Sequence, residues 1–312
     1  MSTRWWGGVS AKRGFMAKNS TEVAGTQDAQ DRHIIHVIHY NLSYILQGAE
    51  HGTDGAIVLL HDFPAGAFAW QNVIPQLAGT NRAVYAFDML GYGLSEHPWP
   101  ADTSIWGQAD CLKMVFDQLN LTNIILVGHG FGGGVAQVLA TRLSRERVAA
   151  LVLIDTICYE YSYAPNWPLP DMQKNQDPDA LKNVKLEDVI QNLRTTLPNG
   201  VHDSKQFDTD NVMNDYIRPW NSELGKEVLF QHIRQLIPSY SNSIASDLKV
   251  LHIPTLIIWG ELDQQMPLKL AQRLHRDMPE SHLVIIPGAG HLILFDAPDS
   301  VASALADFIG RL

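Results

Sequence analysis

Apolar residues along this chain fall into two rhythms. Ile34 to Ile38 and Leu42 to Leu46 alternate with period two, as two tightly joined strands do. Ala56 to Leu60, Ala83 to Phe87, Ile124 to Val127 and Ala149 to Ile154 are short, almost wholly apolar runs. Such runs fit central parallel strands, which are covered on both faces. Thr255 to Trp259 and Leu283 to Ile286 add two more. Helical spacing occupies the gaps, at about Phe68 to Leu77, Ile105 to Leu119, Gly133 to Leu143, Leu268 to Met278 and Ser300 to Ile309. Strand and helix in alternation predict an α/β fold: a mostly parallel, eight-stranded sheet with helices on both faces.

The rhythm breaks between residues 157 and 247. This stretch is rich in Pro, Asn, Asp and aromatics, with helical patches at Leu186 to Leu193 and Glu227 to Leu236. An insertion here would lie over the carboxyl ends of the strands, where open α/β sheets place their sites. It is expected to be a helical lid on a core made of residues 31–156 and 248–312. Its aromatics Tyr159, Tyr161, Tyr163, Trp167 and Trp220 are candidates to line an apolar pocket, Trp167 and Trp220 above all, or to form the lid's own core. Residues 1–30 have a different character. Arg4, Lys12, Arg13 and Lys18 precede the first acid, Glu22, and no continuous apolar segment of a secretory signal appears. A disordered tail is expected there, with organelle targeting the lesser alternative.

Composition narrows the function classes. The chain has 312 residues, 46% of them hydrophobic, enough for one large core with an insertion. A formal charge of -10 lacks the basic footprint of a nucleic-acid binder. The two cysteines, Cys111 and Cys158, have no metal-ligand spacing, and so few thiols fit a reducing, cytoplasmic setting. No apolar run has the length of a membrane span. His33, His36 and His39 do not make a metal site, because strand alternation turns His36 away from the other two. No metal or cofactor is expected, and the expected partner is a small molecule.

The most informative segment is Val127-Gly128-His129-Gly130-Phe131-Gly132-Gly133-Gly134. It reads as a buried strand, a glycine-rich turn and a helix start, the frame of a G-x-S-x-G nucleophile elbow. Gly128 and Gly132 are in place, but the nucleophile's position holds Gly130. The elbow residue usually adopts a strained backbone that glycine reaches without steric cost. Glycine there relieves strain, deletes the attacking atom and opens space that a water could fill.

Four further segments share one resemblance. Leu59-Leu60-His61-Asp62-Phe63-Pro64 resembles an "HGFP" oxyanion loop, and Phe87-Asp88-Met89-Leu90-Gly91-Tyr92-Gly93-Leu94-Ser95 a D-x-x-G-x-G-x-S loop. Trp259-Gly260-Glu261-Leu262-Asp263 with Met266-Pro267 resembles an acid loop, and Gly288-Ala289-Gly290-His291 a histidine loop. In this order, over residues 33–312, they resemble the α/β-hydrolase fold superfamily, in its epoxide-hydrolase, haloalkane-dehalogenase and haloperoxidase-like branch. Two positions depart from that pattern. Gly130 replaces the nucleophile, and Asp62 replaces the glycine after the oxyanion-loop histidine.

The resemblance implies roles. His291, whose ordinary pKa lies near neutrality, is the expected general base. Asp263 is the expected acid that fixes its tautomer. The backbone N–H groups of Phe63 and Phe131 are the expected oxyanion hole. Asp62 is expected to face outward as a turn residue, with an acid–base role as the alternative. His129 is expected to pack near the sheet beside the elbow. Asp88 is expected to tie its own loop through side-chain-to-backbone bonds, and Asp155 is a fallback acid. Asp296 with Pro298 reads as a helix start.

Three functions stay open on the sequence. One is an enzyme using the Asp263–His291 pair and backbone donors on a small apolar substrate, in hydrolase-like or in lyase, isomerase or oxygenase-type chemistry. The second is a dead hydrolase homologue that binds a small molecule. The third is an ester hydrolase whose elbow serine has been replaced by glycine.

Overall fold

The computed structural model describes residues 32–48, 50, 54–159, 183–203, 207 and 210–312. The basic N-terminal segment and the aromatics Tyr161, Tyr163 and Trp167 lie outside the described residues. The strands are β1 Arg32–Val37, β2 Tyr40–Gln47, β3 Ala56–Leu60, β4 Ala83–Phe87, β5 Ile124–His129, β6 Val148–Ile154, β7 Thr255–Gly260 and β8 Ser281–Ile286. They form an eight-stranded sheet in the order β1-β2-β4-β3-β5-β6-β7-β8. Pairs β1–β2 and β2–β4 are antiparallel, and all others are parallel. Every residue of β3, β5 and β7 is buried, in keeping with their predominantly apolar sequences. The alternation in β1 has the other meaning: Ile35 and Val37 are buried while His33, Ile34 and His36 are exposed.

The core helices are α1 Ile105–Gln118 and α2 Gly130–Arg142. Helices α3 Leu186–Thr196, α4 Asp210–Ile217, α5 Glu223–Gln235, α6 Pro238–Ser243 and α7 Ala245–Lys249 follow β6. Helices α8 Lys269–Asp277, α9 Ile293–Asp296 and α10 Pro298–Ile309 complete the described chain. Ser104 caps α1 by accepting from the Gly107 N–H, and Ser222 caps α5 through the Gly225 N–H.

The expected helix at Phe68 to Leu77 is instead two 3-10 segments, Ala67–Trp70 and Ile74–Thr80. Pro75 has no N–H to give to an i−4 carbonyl, so a continuous α-helix fails there. Helices α4, α6 and α7 have no clear counterpart in the sequence pattern. Helix α2 begins at the elbow itself, three residues before the sequence suggested. Asp296 does not cap α10: it ends α9, and Pro298 opens the next helix after Ala297.

Strand order decides where a site forms. From β3 the chain goes to β4 on one side and later to β5 on the other, so β3 and β5 are neighbours at the topological switch point. Leu60 pairs with Gly128, and the loops after these strands are therefore held edge to edge. Their approach is close: a Cβ on Gly132 would lie 2.4 Å from the Leu60 carbonyl oxygen and 2.5 Å from that of His61. Gly132→Ala should cost about 2–3 kcal/mol by overpacking backbone that cannot yield. Urea denaturation of the purified variant would measure this, and a change under about 0.5 kcal/mol would show that these loops are not tightly wedged.

Candidate active site

The loops after β3, β5, β7 and β8 bring four groups into one hydrogen-bonded line. Asp263 Oδ2 lies 2.8 Å from His291 Nδ1. His291 Nε2 lies 3.0 Å from Asp62 Oδ2. Asp62 Oδ1 accepts the backbone N–H of Phe131 at 2.6 Å. Asp62 and His291 are each 1% exposed. The sequence-nominated residues His291, Asp263, Phe131 and Asp62 therefore converge beside the Gly130 turn.

Asp62 is the correction to the sequence reading. It faces inward rather than outward, and it fills the space that the Gly130 turn was expected to offer to a water. Two facts explain this. The loop after β3 is wedged against α2 at Gly132, so its side chains cannot swing to solvent. Gly130, at φ +50, carries no Cβ to exclude the carboxyl. The first turn of α2 also welcomes an anion, because its N–H groups lack helical partners and carry the positive end of the dipole.

Charge follows from the bonding. Both partners of the His291 ring are carboxylates, which accept when ionised, so both ring nitrogens donate. Burial opposes a charged imidazole, but Asp263 and then Asp62 outweigh it and hold His291 well above its ordinary 6.5. This favours the protonated imidazolium at rest. Nearby histidines are neutral. His129 donates Nε2–H to the His291 carbonyl at 2.8 Å, and burial pushes it down to about 4. It fixes the histidine loop by its main chain. His61 accepts the Met89 N–H on Nε2 at 3.1 Å, so its proton sits on Nδ1 and goes to the Asp62 carbonyl at 2.8 Å. Asp62, His129 and His291 offer ligand-type atoms within 4.8 Å of one another.

Asp263 has its own support. Its Oδ1 accepts the N–H groups of Gln265 at 2.7 Å and Met266 at 2.8 Å, leaving Oδ2 for His291. Asp155, with no exposed surface, accepts the Gly260 N–H at 2.8 Å on Oδ1. Its Oδ2 is buried with no donor among the described residues, and the Asp263 carboxyl is within bonding reach. Burial, then the Asp263 charge, raises the Asp155 pKa well above 3.8. A protonated Asp155 that donates to Asp263 satisfies both carboxyls. The sequence reading ranked it as a spare acid, whereas the structure sets it behind the first one.

The walls are aromatic. Tyr92 packs edge-on to His61 at 5.0 Å and Phe63 at 6.4 Å, and it stacks on His232 at 4.0 Å. Burial, then the negative charge of Asp62, raises the phenols of Tyr92 and Tyr216 well above their usual range. Trp220 is fully buried against Tyr92 at 5.9 Å, one shell behind the carboxyl. Phe63 is buried after Asp62 in the loop, and the Phe131 N–H donates to the Asp62 carboxyl. Tyr159 belongs elsewhere: its hydroxyl donates to Asp277 at 3.0 Å, under the Arg273 guanidinium. Asp88 binds the N–H groups of Ala67 and Leu94 and the guanidinium of Arg32. Asp296 accepts from Gly290 and His202, clamping the histidine loop. His33 stacks on Tyr44 while His36 bonds Asn41, so those histidines stay apart. Cys111 and Cys158 are free and buried.

Residues 55–298 match the family model described as alpha/beta hydrolase fold, and the chain belongs to that family. It is 26% identical over 274 residues to the uncharacterized hydrolase YugF of Bacillus subtilis, covering 81% of this chain and 89% of that one. It is 27% identical over 274 residues to haloalkane dehalogenase 2 of Mycobacterium tuberculosis, covering 84% and 90%. The crystal structure of haloalkane dehalogenase DbeA from Bradyrhizobium elkani superposes with a TM-score of 0.78 at 19% identity, covering 90% of this chain and 97% of the other.

The raised pKa of buried Asp155 has a consequence for stability. Its folded pKa lies above the unfolded value of 3.8, so its contribution is complete below that pH and is lost as pH rises towards the folded pKa. Asp155→Asn keeps the donor and the acceptor but cannot ionise. Stability measured by urea against pH should fall less steeply above pH 3.8 in this variant than in the parent. The difference approaches about 1.4 kcal/mol per pH unit at most. Parallel curves would mean that Asp155 is ionised in the folded protein.

Proposed function

We propose that this chain is an α/β-hydrolase-fold enzyme that acts on a small, largely apolar substrate at the Asp263–His291–Asp62 centre. The observation that carries this is the buried line of four groups from Asp263 to the Phe131 N–H. Desolvating two carboxylates and an imidazolium is costly, and the cost is offset only by good mutual geometry. A fold that merely held a ligand would be served as well by an apolar filling. Perturbed, mutually bonded titratable groups at a strand-end crevice favour chemistry.

In this reading His291 moves a proton at Nε2, and Asp263 holds Nδ1 and stabilises the imidazolium. Asp155 keeps Asp263 in place. Helices α3 to α5 act as the lid. Two of them contact the strand-end loops: His232 Nε2 of α5 bonds the Gly91 carbonyl at 3.0 Å, and Tyr216 of α4 packs on Phe68 at 4.9 Å. Substrate enters when these helices shift, and their closure excludes water. A lone serine-to-glycine loss accounts poorly for the site. Any side chain at 130 would collide with Asp62 as it stands, so the two departures from the family pattern belong together.

His291→Ala should lower turnover by at least about 10²–10⁴-fold, the usual contribution of a positioned acid–base group. The test is a panel of small esters, epoxides and alkyl halides, assayed with the parent and variant side by side. Equal rates in both proteins, on every compound turned over, would remove His291 from the reaction and the enzyme reading with it.

A further inference from the structure

The side chain missing at the elbow has a counterpart. A Cβ built on Gly130 would lie 1.9 Å from Asp62 Oδ1 and 2.1 Å from Asp62 Cγ. The Asp62 carboxyl thus stands where the side chain of residue 130 would begin, although it arrives from the loop after β3. It also makes the contacts that an elbow nucleophile needs. Oδ1 is 2.6 Å from the Phe131 nitrogen at the start of α2, and Oδ2 is 3.0 Å from His291 Nε2. We propose that Asp62 is the nucleophile, moved from the elbow to the neighbouring loop, and that it attacks a saturated carbon bearing a leaving group on a small apolar substrate. This deepens the hydrolase reading and rests on it.

The substrate class follows from which atoms are already engaged. In acyl transfer the oxyanion forms on the substrate and needs a donor. The Phe131 N–H is committed to Asp62 itself. Displacement at saturated carbon needs no such donor, because the new charge goes to the leaving group. Asp62 Oδ2 supplies the electron pair of the new C–O bond, and the bond to the leaving group breaks with its pair. An alkoxide leaving group takes the Nε2 proton of His291. A halide departs as the anion, and His291, with its Asp62 partner now a neutral ester, releases that proton to water.

Neutral His291 then takes a proton from water, whose oxygen adds to Asp62 Cγ. The oxyanion of this second step develops on Oδ1, already facing the Phe131 N–H. Collapse breaks the bond between Cγ and the alcohol oxygen, which leaves with the proton from His291. The acid proton left on Asp62 returns to His291, and the resting pair is restored. One water is consumed and one alcohol is released.

The test uses 1-bromohexane with full-length His291→Gln protein, in which the second step is blocked. Peptide mass spectrometry should find one hexyl group esterified to Asp62, and no ester at that residue would overturn the proposal. A second variant moves the carboxyl back: Gly130→Asp combined with Asp62→Gly, in the His291→Gln background, should shift the hexyl ester to residue 130. Parent protein turning over in ¹⁸O-water should also incorporate label into the Asp62 carboxyl. Should the parent instead cleave 4-nitrophenyl acetate in a His291-dependent way, with neither ester nor label at residue 62, the hydrolase reading stands and the relocated nucleophile falls.

Discussion

The site depends on a single steric exchange. Two loops at the switch point of the sheet are pressed together so closely that only one of them can put a side chain into the space between. At residue 130 there is none, and the carboxyl of Asp62 takes the room. The rest of the electrostatics follows from that choice. Asp62 gives the first turn of α2 its anion and gives His291 a second carboxylate. With acceptors on both sides the charged imidazole is favoured at rest, between two buried carboxyls.

Such a centre needs rigid supports, and the fold supplies them by backbone. His129 holds the carbonyl of residue 291, Asp296 holds the N–H of Gly290, and Gln265 and Met266 orient Asp263. Each of these contacts has one main-chain partner, which ties the site's groups to the backbone of their loops. Asp155 stands behind them, where burial and the neighbouring Asp263 charge raise its pKa and favour the protonated acid. The aromatic walls add low polarity, which strengthens each charged bond inside.

Legibility varied along the chain. The parallel strands were readable because burial on both faces leaves an unbroken apolar run. Asp263 and His291 were readable because each follows a strand in a small-residue loop. Helices α4, α6 and α7 were not, since short helices in the insertion are stabilised by packing rather than by their own periodicity. The segment at Phe68 looked helical by spacing, yet Pro75 divides it. Asp155 looked like a spare because sequence cannot say whether a carboxyl keeps its proton.

What the sequence settled alone is the fold, the order of the loops and the presence of two odd residues, a glycine where a side chain belongs and an aspartate where a glycine belongs. A paired gain and loss of that kind was itself the available signal that positions 62 and 130 meet. Only the tertiary structure decided which way Asp62 points. The reason is physical: β3 and β5 are far apart in the chain but adjacent in the sheet, and the volume between their loops exists only after the strands have paired.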